Sequence, residues 1–345
     1  MANQIGSLNG IDISKIGAVN TIVFSKIAAI NTIPFVTSVF GDKTYFVAGA
    51  TTASAYSTSS SVMDLPTGIV SAGTATIATG KSEAAGLSDN AAYGYVSGGA
   101  TNALHTNTSE RITFSTATFA SNTATNLSTA RSWVEGMSDR GSYGYGYCLG
   151  GRLTNINTLY ATSDRLTFST NTSSVHASSA LSQAKRYHFS ISSGGSYGYT
   201  AGGSTNAYVV TNNRLVFSTS TTSASTTYNM SLAKGMAFAI SSGGTYGYYS
   251  GGNSGTATVL SNRLTFSTGT CAAHTASNLS TARYYGQGIS DGTTYGYAAG
   301  GYSPTYMTTT DRLTFSTGSM AANTTSNLNQ GRSNYSAVAE NGYGS

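Results

Sequence analysis

The chain has 345 residues, room for one large domain or two ordinary ones, and 39% of them are hydrophobic, enough for a core. Only 8% are charged, against 41 Gly, 24 Tyr and 3 Pro, which excludes a charge-rich disordered chain, a collagen and a heptad coiled coil. The net charge of +5 is scattered rather than clustered, which argues against nucleic acid and leaves a β-rich chain solubilised by Ser, Thr and Asn.

The N-terminal MANQIGSLNG has no basic n-region followed by an apolar h-region, so no secretory leader is expected. No run approaches the roughly 18 apolar residues of a membrane span, so membrane insertion is not expected either. Three 11-residue units follow: IGSLNGIDISK (5–15), IGAVNTIVFSK (16–26) and IAAINTIPFVT (27–37). Ile5, Ile16 and Ile27 align, and Phe24 and Phe35 share a later position. Asn-Gly or Asn-Thr before an apolar alternation reads as a turn and a short strand, three times over. So short a segment cannot bury its own apolar face. Residues 1–37 are therefore expected to be an assembly arm that meets sister subunits or other proteins through Ile5, Ile16, Ile27, Phe24 and Phe35, with residues 38–345 as the main domain. The competing reading is a β-ribbon packed on its own domain.

A longer repeat fills that main domain. Paired glycines fall at Gly98-Gly99, Gly150-Gly151, Gly202-Gly203, Gly251-Gly252 and Gly300-Gly301, with a decayed copy read at Gly49-Ala50. An RxxFST element gives Arg111, Arg165, Arg214, Arg263 and Arg312. An apolar–x–x–x–basic element gives Lys81, Arg131, Lys185, Lys234, Arg283 and Arg332. Tight-turn residues separate alternating strands such as YGYAA and RLTFS, and four short strands fit in each unit. A four-stranded sheet repeated radially is a propeller blade.

This order of basic residue, apolar strand, Gly-containing turn, Tyr strand ending in Gly-Gly, variable loop and Asp-Arg strand resembles the kelch repeat over residues 38–345. The Phe of FST stands where that family has a Trp late in the third strand. The resemblance implies an all-β, kelch-like β-propeller of six or seven blades and supplies no catalytic site; the six apolar–basic and six Gly-Gly landmarks point to six blades, a seventh partial one remaining open. Whether 35–40 or 334–340 provides the first strand is also open. The N-terminal repeat joined to a Ser/Thr/Gly/Tyr-rich β domain resembles tail-fibre and other virion structural proteins of tailed bacteriophages. That resemblance implies a virion location, other virion proteins as partners of residues 1–37, a homo-oligomer and a host-surface glycan as ligand. A bacterial lectin-like propeller is the alternative, and a polysaccharide depolymerase is a third.

The repeated basic residues read as a ring of anion contacts around a channel, or as structural donors to backbone carbonyls and to acids such as Asp89, Asp139, Asp164, Asp291 and Asp311. The second reading is favoured. The Tyr-Gly-Tyr pairs read as inter-blade packing. What varies between copies is the loop after each Gly-Gly and the segment after each repeated basic residue, where binding sites tend to lie. Trp133, Tyr187, His188, Tyr284 and Tyr285 are the candidate ligand contacts; filling gaps at a propeller face is their alternative role. No metal spacing joins His105, His176, His188 and His274, no nucleophile elbow or P-loop occurs, and no cofactor or enzymatic activity is expected. Cys148 and Cys271 read as core thiols.

Overall fold

In the computed structural model the described residues are 7–8, 11–12, 43–52, 55–153, 158–340 and 343–344. The chain divides into two units, Met1–Val39 and Phe40–Ser345. In the first, Ser7–Leu8 pairs antiparallel with Ile11–Asp12 on either side of the Asn9-Gly10 dipeptide. The candidate assembly residues Ile5, Ile16, Ile27, Phe24 and Phe35 lie outside the described residues.

The second unit is a six-bladed β-propeller. Blade 2 runs from the inside outward as Ala85–Ser88, Tyr93–Ser97, Ser109–Thr113 and Thr118–Ser121. Blade 3 begins with Glu135–Ser138 and Tyr145–Leu149, blade 4 with Phe189–Ser192 and Tyr197–Ala201, blade 5 with Phe238–Ser241 and Tyr246–Ser250, and blade 6 with Gln287–Ser290 and Tyr295–Ala299. The innermost strands neighbour one another around a central channel. Blade 1 closes the ring: its innermost strand is Ser336–Ala339, paired with Lys43–Val47, which pairs in turn with Ser60–Asp64. The open question of the first strand is thus answered by residues 336–339, and the blade count is six. Tyr343–Gly344 adds a further strand to the channel-facing edge of blade 6, opposite Ile289 and Ser290.

The repeated sequence elements do their work between blades. In Tyr-Gly-Tyr the second tyrosine is fully buried and stacks on the FST phenylalanine of the next blade: Tyr95 on Phe168, Tyr147 on Phe217, Tyr199 on Phe266 and Tyr248 on Phe315, with centroids 5.6 to 6.2 Å apart. The intervening glycine leaves room for an apolar side chain from the preceding blade's innermost strand; a Cβ on Gly198 or Gly247 would strike Met137 or Ile191, and one on Gly146 would crowd Phe168 and Leu87. These phenylalanines sit just past the end of the third strand rather than within it. The first tyrosine lies under the RxxFST arginine, with Arg111 4.1 Å from the Tyr93 ring centre and the same stack in blades 3 to 6.

Both residues of each Gly-Gly pair have positive φ, as at Gly98 (70°) and Gly99 (103°), where a side chain is strained. The decayed copy is Ala48 (66°) and Gly49 (86°), one residue earlier than the sequence alignment placed it. From this turn the second residue's N–H reaches the carbonyl of the basic residue leading into the next blade, in all six copies: Gly49 to Lys81, Gly99 to Arg131, Gly151 to Lys185, Gly203 to Lys234, Gly252 to Arg283 and Gly301 to Arg332.

The six basic side chains are buried, which removes them from any anion-binding ring and makes them structural donors. Arg131 pairs with Asp164 and Arg283 with Asp311, each at 2.7 Å. Lys234 donates to the Tyr249 and Leu260 carbonyls, and Arg332 to those of Phe46, Ala48 and Ser59. Asp89, Asp139 and Asp291 are not partners of these cations. They accept backbone N–H groups in the turns between first and second strands, as Asp139 does from Gly141, Tyr143 and Tyr145. Both cysteines are free, and burial pushes each thiol up to about 12.

Candidate functional site

Two residues after each buried cation the chain takes a left-handed turn before entering the innermost strand. The six residues at that turn are Glu83, Trp133, Tyr187, Met236, Tyr285 and Asn334, with φ between 53° and 65°. None is glycine, although the position costs bulky side chains on the order of 1–3 kcal/mol each. Backbone bonds run from one to the next around the axis: Glu83 N–H to the Asn334 carbonyl, Asn334 to Tyr285, Tyr285 to Met236 and Met236 to Tyr187, with Val134 N–H reaching Glu83. This collar forms one mouth of the channel.

Three collar side chains are large aromatics in contact. Trp133 lies 4.5 Å from Tyr187, edge to face, and 5.1 Å from Tyr285; Tyr187 and Tyr285 are 6.4 Å apart. Together with Glu83, Met236 and Asn334 they line a cavity of about 50 Å³. Arg186 lies over the Tyr187 ring, its guanidinium carbon 4.6 Å from the centre. Burial raises the pKa of Glu83, against the pull of Ser132, Arg152 and Arg186. Glu83 Oε2, Trp133 Nε1 and Asn334 Oδ1 are buried and make no hydrogen bond within the described residues. Unmet polar atoms on aromatic walls suit a ligand that has both hydroxyl groups and apolar faces.

The collar adjoins the loops after the Gly-Gly turns, because antiparallel first and second strands put both at one end of the blade. Backbone bridges join them: Ser132 to Arg152 to Leu159 in blade 3, Arg186 to Ser204 to Tyr208 in blade 4, and Tyr284 to Tyr302 to Tyr306 in blade 6. The two variable segments of the sequence are thus one surface.

Trp133, Tyr187, Tyr284 and Tyr285 come together there, Tyr284 and Tyr285 lying 4.6 Å apart. His188 lies beneath them. It is 4% exposed, its Nε2 is 3.2 Å from the Leu149 carbonyl, and burial with the nearby Lys185 charge lowers its pKa to about 3. It is a neutral residue of the cavity floor. Sequence reasoning missed Glu83, Met236, Asn334, Tyr302 and Tyr306. Counting two residues on from each repeated basic residue would have found the first three; the tyrosines sit in loops whose register shows only through the bridges.

Among the described residues no cluster of His, Cys, Asp or Glu could hold a metal ion, and no helix is long and apolar enough to cross a membrane. No family model and no curated protein matches the sequence.

Proposed function

We propose that the protein is a virion structural protein of a tailed bacteriophage, a kelch-like propeller that presents its collar face at the particle surface and binds host-surface glycan there. The observation that carries the glycan reading is the aromatic collar. Three bulky rings, Trp133, Tyr187 and Tyr285, occupy left-handed positions that the ring of backbone bonds does not need them to fill, beside buried polar atoms that make no hydrogen bond among the described residues. Bulky side chains kept at strained backbone positions are a mark of function. Support for the virion reading is the sequence: the low charge and the three 11-residue units of residues 1–37, which dock on other virion proteins and join copies of the chain through Ile5, Ile16, Ile27, Phe24 and Phe35.

The test is a screen of the full chain against host cells and a glycan panel. Binding that disappears in the Trp133→Ala, Tyr284→Ala, Tyr285→Ala triple variant, with the melting transition retained, supports recognition on this face; binding that survives the triple variant sinks it. Deleting residues 1–37 removes the protein from purified particles if they are the docking arm. Normal incorporation without them overturns that part and leaves the alternative of a free lectin-like propeller.

One observation favours a second reading, polysaccharide cleavage: Glu83 and Glu135 line the same cavity, and burial holds Glu83 toward its protonated form. New reducing ends in the glycan screen, lost in Glu83→Gln, would replace binding by hydrolysis.

A further inference from the structure

From the collar a row of rings leads outward over blade 6. Trp133 meets Tyr285 at 5.1 Å, Tyr285 meets Tyr284 at 4.6 Å, Tyr284 meets Tyr302 at 5.8 Å and Tyr302 meets Tyr306 at 5.4 Å. The last two contacts are edge to face, at 66° and 74°. All three outer tyrosines are half-buried.

The scaffold does not require this row. The same bridged triplet of backbone positions holds Ser82, Ala100 and His105 in blade 2, Ser132, Arg152 and Leu159 in blade 3, and Gly235, Asn253 and Ala257 in blade 5. The bridge forms with small and polar residues alike, so three tyrosines in blade 6 serve something other than the fold.

We infer that this row is an extended subsite for a linear polysaccharide, laid radially from the channel mouth across blade 6, so that the protein reads a run of sugar units rather than a single terminal sugar. The inference rests on the glycan reading above and deepens it. Each step of the row is close to the advance of one pyranose unit. Edge-to-face packing leaves ring faces uncovered by their neighbours in the row, and the C–H face of a sugar stacks on such a ring while the phenol hydroxyl meets its hydroxyl groups. The loop 302–309, YSPTYMTT, carries no Lys or Arg, which disfavours a nucleic-acid strand, since that needs cations along its phosphates. Hydroxyl-bearing rings flanked by Ser and Thr equally disfavour an apolar peptide, which would be met by aliphatic side chains.

The experiment measures affinity of the full chain for linear β-linked gluco-, N-acetylgluco- and manno-oligosaccharides of one to six units. Its variants place blade 5 residues in blade 6, Tyr302→Asn with Tyr306→Ala, residues already compatible with this backbone. The expected result is affinity for one series rising at least tenfold from one unit to four. In the double variant that rise flattens while the single-unit affinity stays within twofold and the melting temperature is retained. Affinity that depends on Trp133 but does not grow with length overturns the extended subsite and leaves the glycan reading standing. Length-dependent affinity that the double variant leaves intact also overturns it. No binding of any length by the unaltered chain overturns both.

Discussion

Blades 3 and 6 and blades 4 and 5 bury a cation at the same place and neutralise it differently. In blades 3 and 6 the cation is arginine, Arg131 or Arg283, and the facing residue is Asp164 or Asp311 at 2.7 Å. In blades 4 and 5 it is lysine, Lys185 or Lys234, and the corresponding residue is Asn213 or Asn262, whose amide turns to the hydroxyl of Ser182 or Ser231. The lysines donate only to carbonyls, Lys185 to Thr211 and Lys234 to Tyr249 and Leu260. The difference follows from the two side chains. A guanidinium cannot shed its proton and needs a buried counter-charge, whereas an ammonium can become neutral. Burial lowers both lysines to about 7. Lys81 is intermediate: Glu110 lies 3.9 Å away and its pKa falls only to about 8. Blade 1 departs from the pattern, with Arg332 held by the carbonyls of Phe46, Ala48 and Ser59 and by the Ser59 hydroxyl. The turns follow the same division, an aspartate in blades 3 and 6 and a serine, Ser193 or Ser242, in blades 4 and 5.

The largest effect comes from making blade 3 resemble blade 4 in one residue only. Asp164→Asn leaves Arg131 buried without its acid and is expected to cost about 3–5 kcal/mol, read from denaturant unfolding. A loss below 1 kcal/mol would mean the carbonyl of Cys148 suffices and the pairing rule is empty.

Next is the pH profile. Between about 7 and the ordinary lysine value of 10.5 the unfolded chain binds more protons than the folded one, so stability rises with pH across that window and changes no further below it. The upper bound is on the order of 5 kcal/mol per lysine. Above about 10 the sign reverses, because burial pushes Tyr95, Tyr147, Tyr199 and Tyr297 up to about 12 and the unfolded state loses those protons first. Melting temperature should therefore peak near pH 10. Asn213→Asp with Asn262→Asp gives the lysines counter-charges and flattens the rise; an unchanged slope in that variant would refute the assignment to Lys185 and Lys234.

The smallest effect is in the turns. Asp139 accepts three backbone N–H groups where Ser193 accepts that of Tyr197. Asp139→Ser should cost about 1–2 kcal/mol in thermal unfolding, whereas Ser193→Asp should be neutral or slightly stabilising.

The fold was legible because the blade-to-blade contacts use the residues that repeat: the Gly-Gly turn, the second tyrosine, the FST phenylalanine and the buried cation. Blade 1 hid itself by losing some of these marks, although Tyr45 still stacks on Phe114 of the next blade and Arg332 is still buried. Leu65 stands where the other blades have phenylalanine, and Tyr297 donates to its carbonyl instead of stacking. Ala48 replaces a glycine, and the innermost strand is supplied from residues 336–339. The site was half legible. Variation between copies singled out Trp133, Tyr187, Tyr284 and Tyr285, which do meet. It also drew in His188, whose side chain turns inward because it follows a left-handed residue at the start of a strand. Tyr302 and Tyr306 stayed hidden because loop length shifts their numbering, and only the bridges to Tyr284 reveal their shared position.

Closure of the ring by Ser336–Ala339 also governs when the propeller can form. During synthesis blades 2 to 6 emerge in order, but Lys43–Val47 keeps a bare inner edge until residues almost at the far end of the domain arrive. The Tyr45–Glu340 hydrogen bond, between residues 295 positions apart, belongs to that last event. Contacts this distant in sequence are slow to make, and an unpaired strand edge invites the wrong neighbour while it waits. Completion of the ring therefore waits on a strand made after blades 2 to 6, and a chain that ends before residue 336 lacks the strand that fastens blade 1.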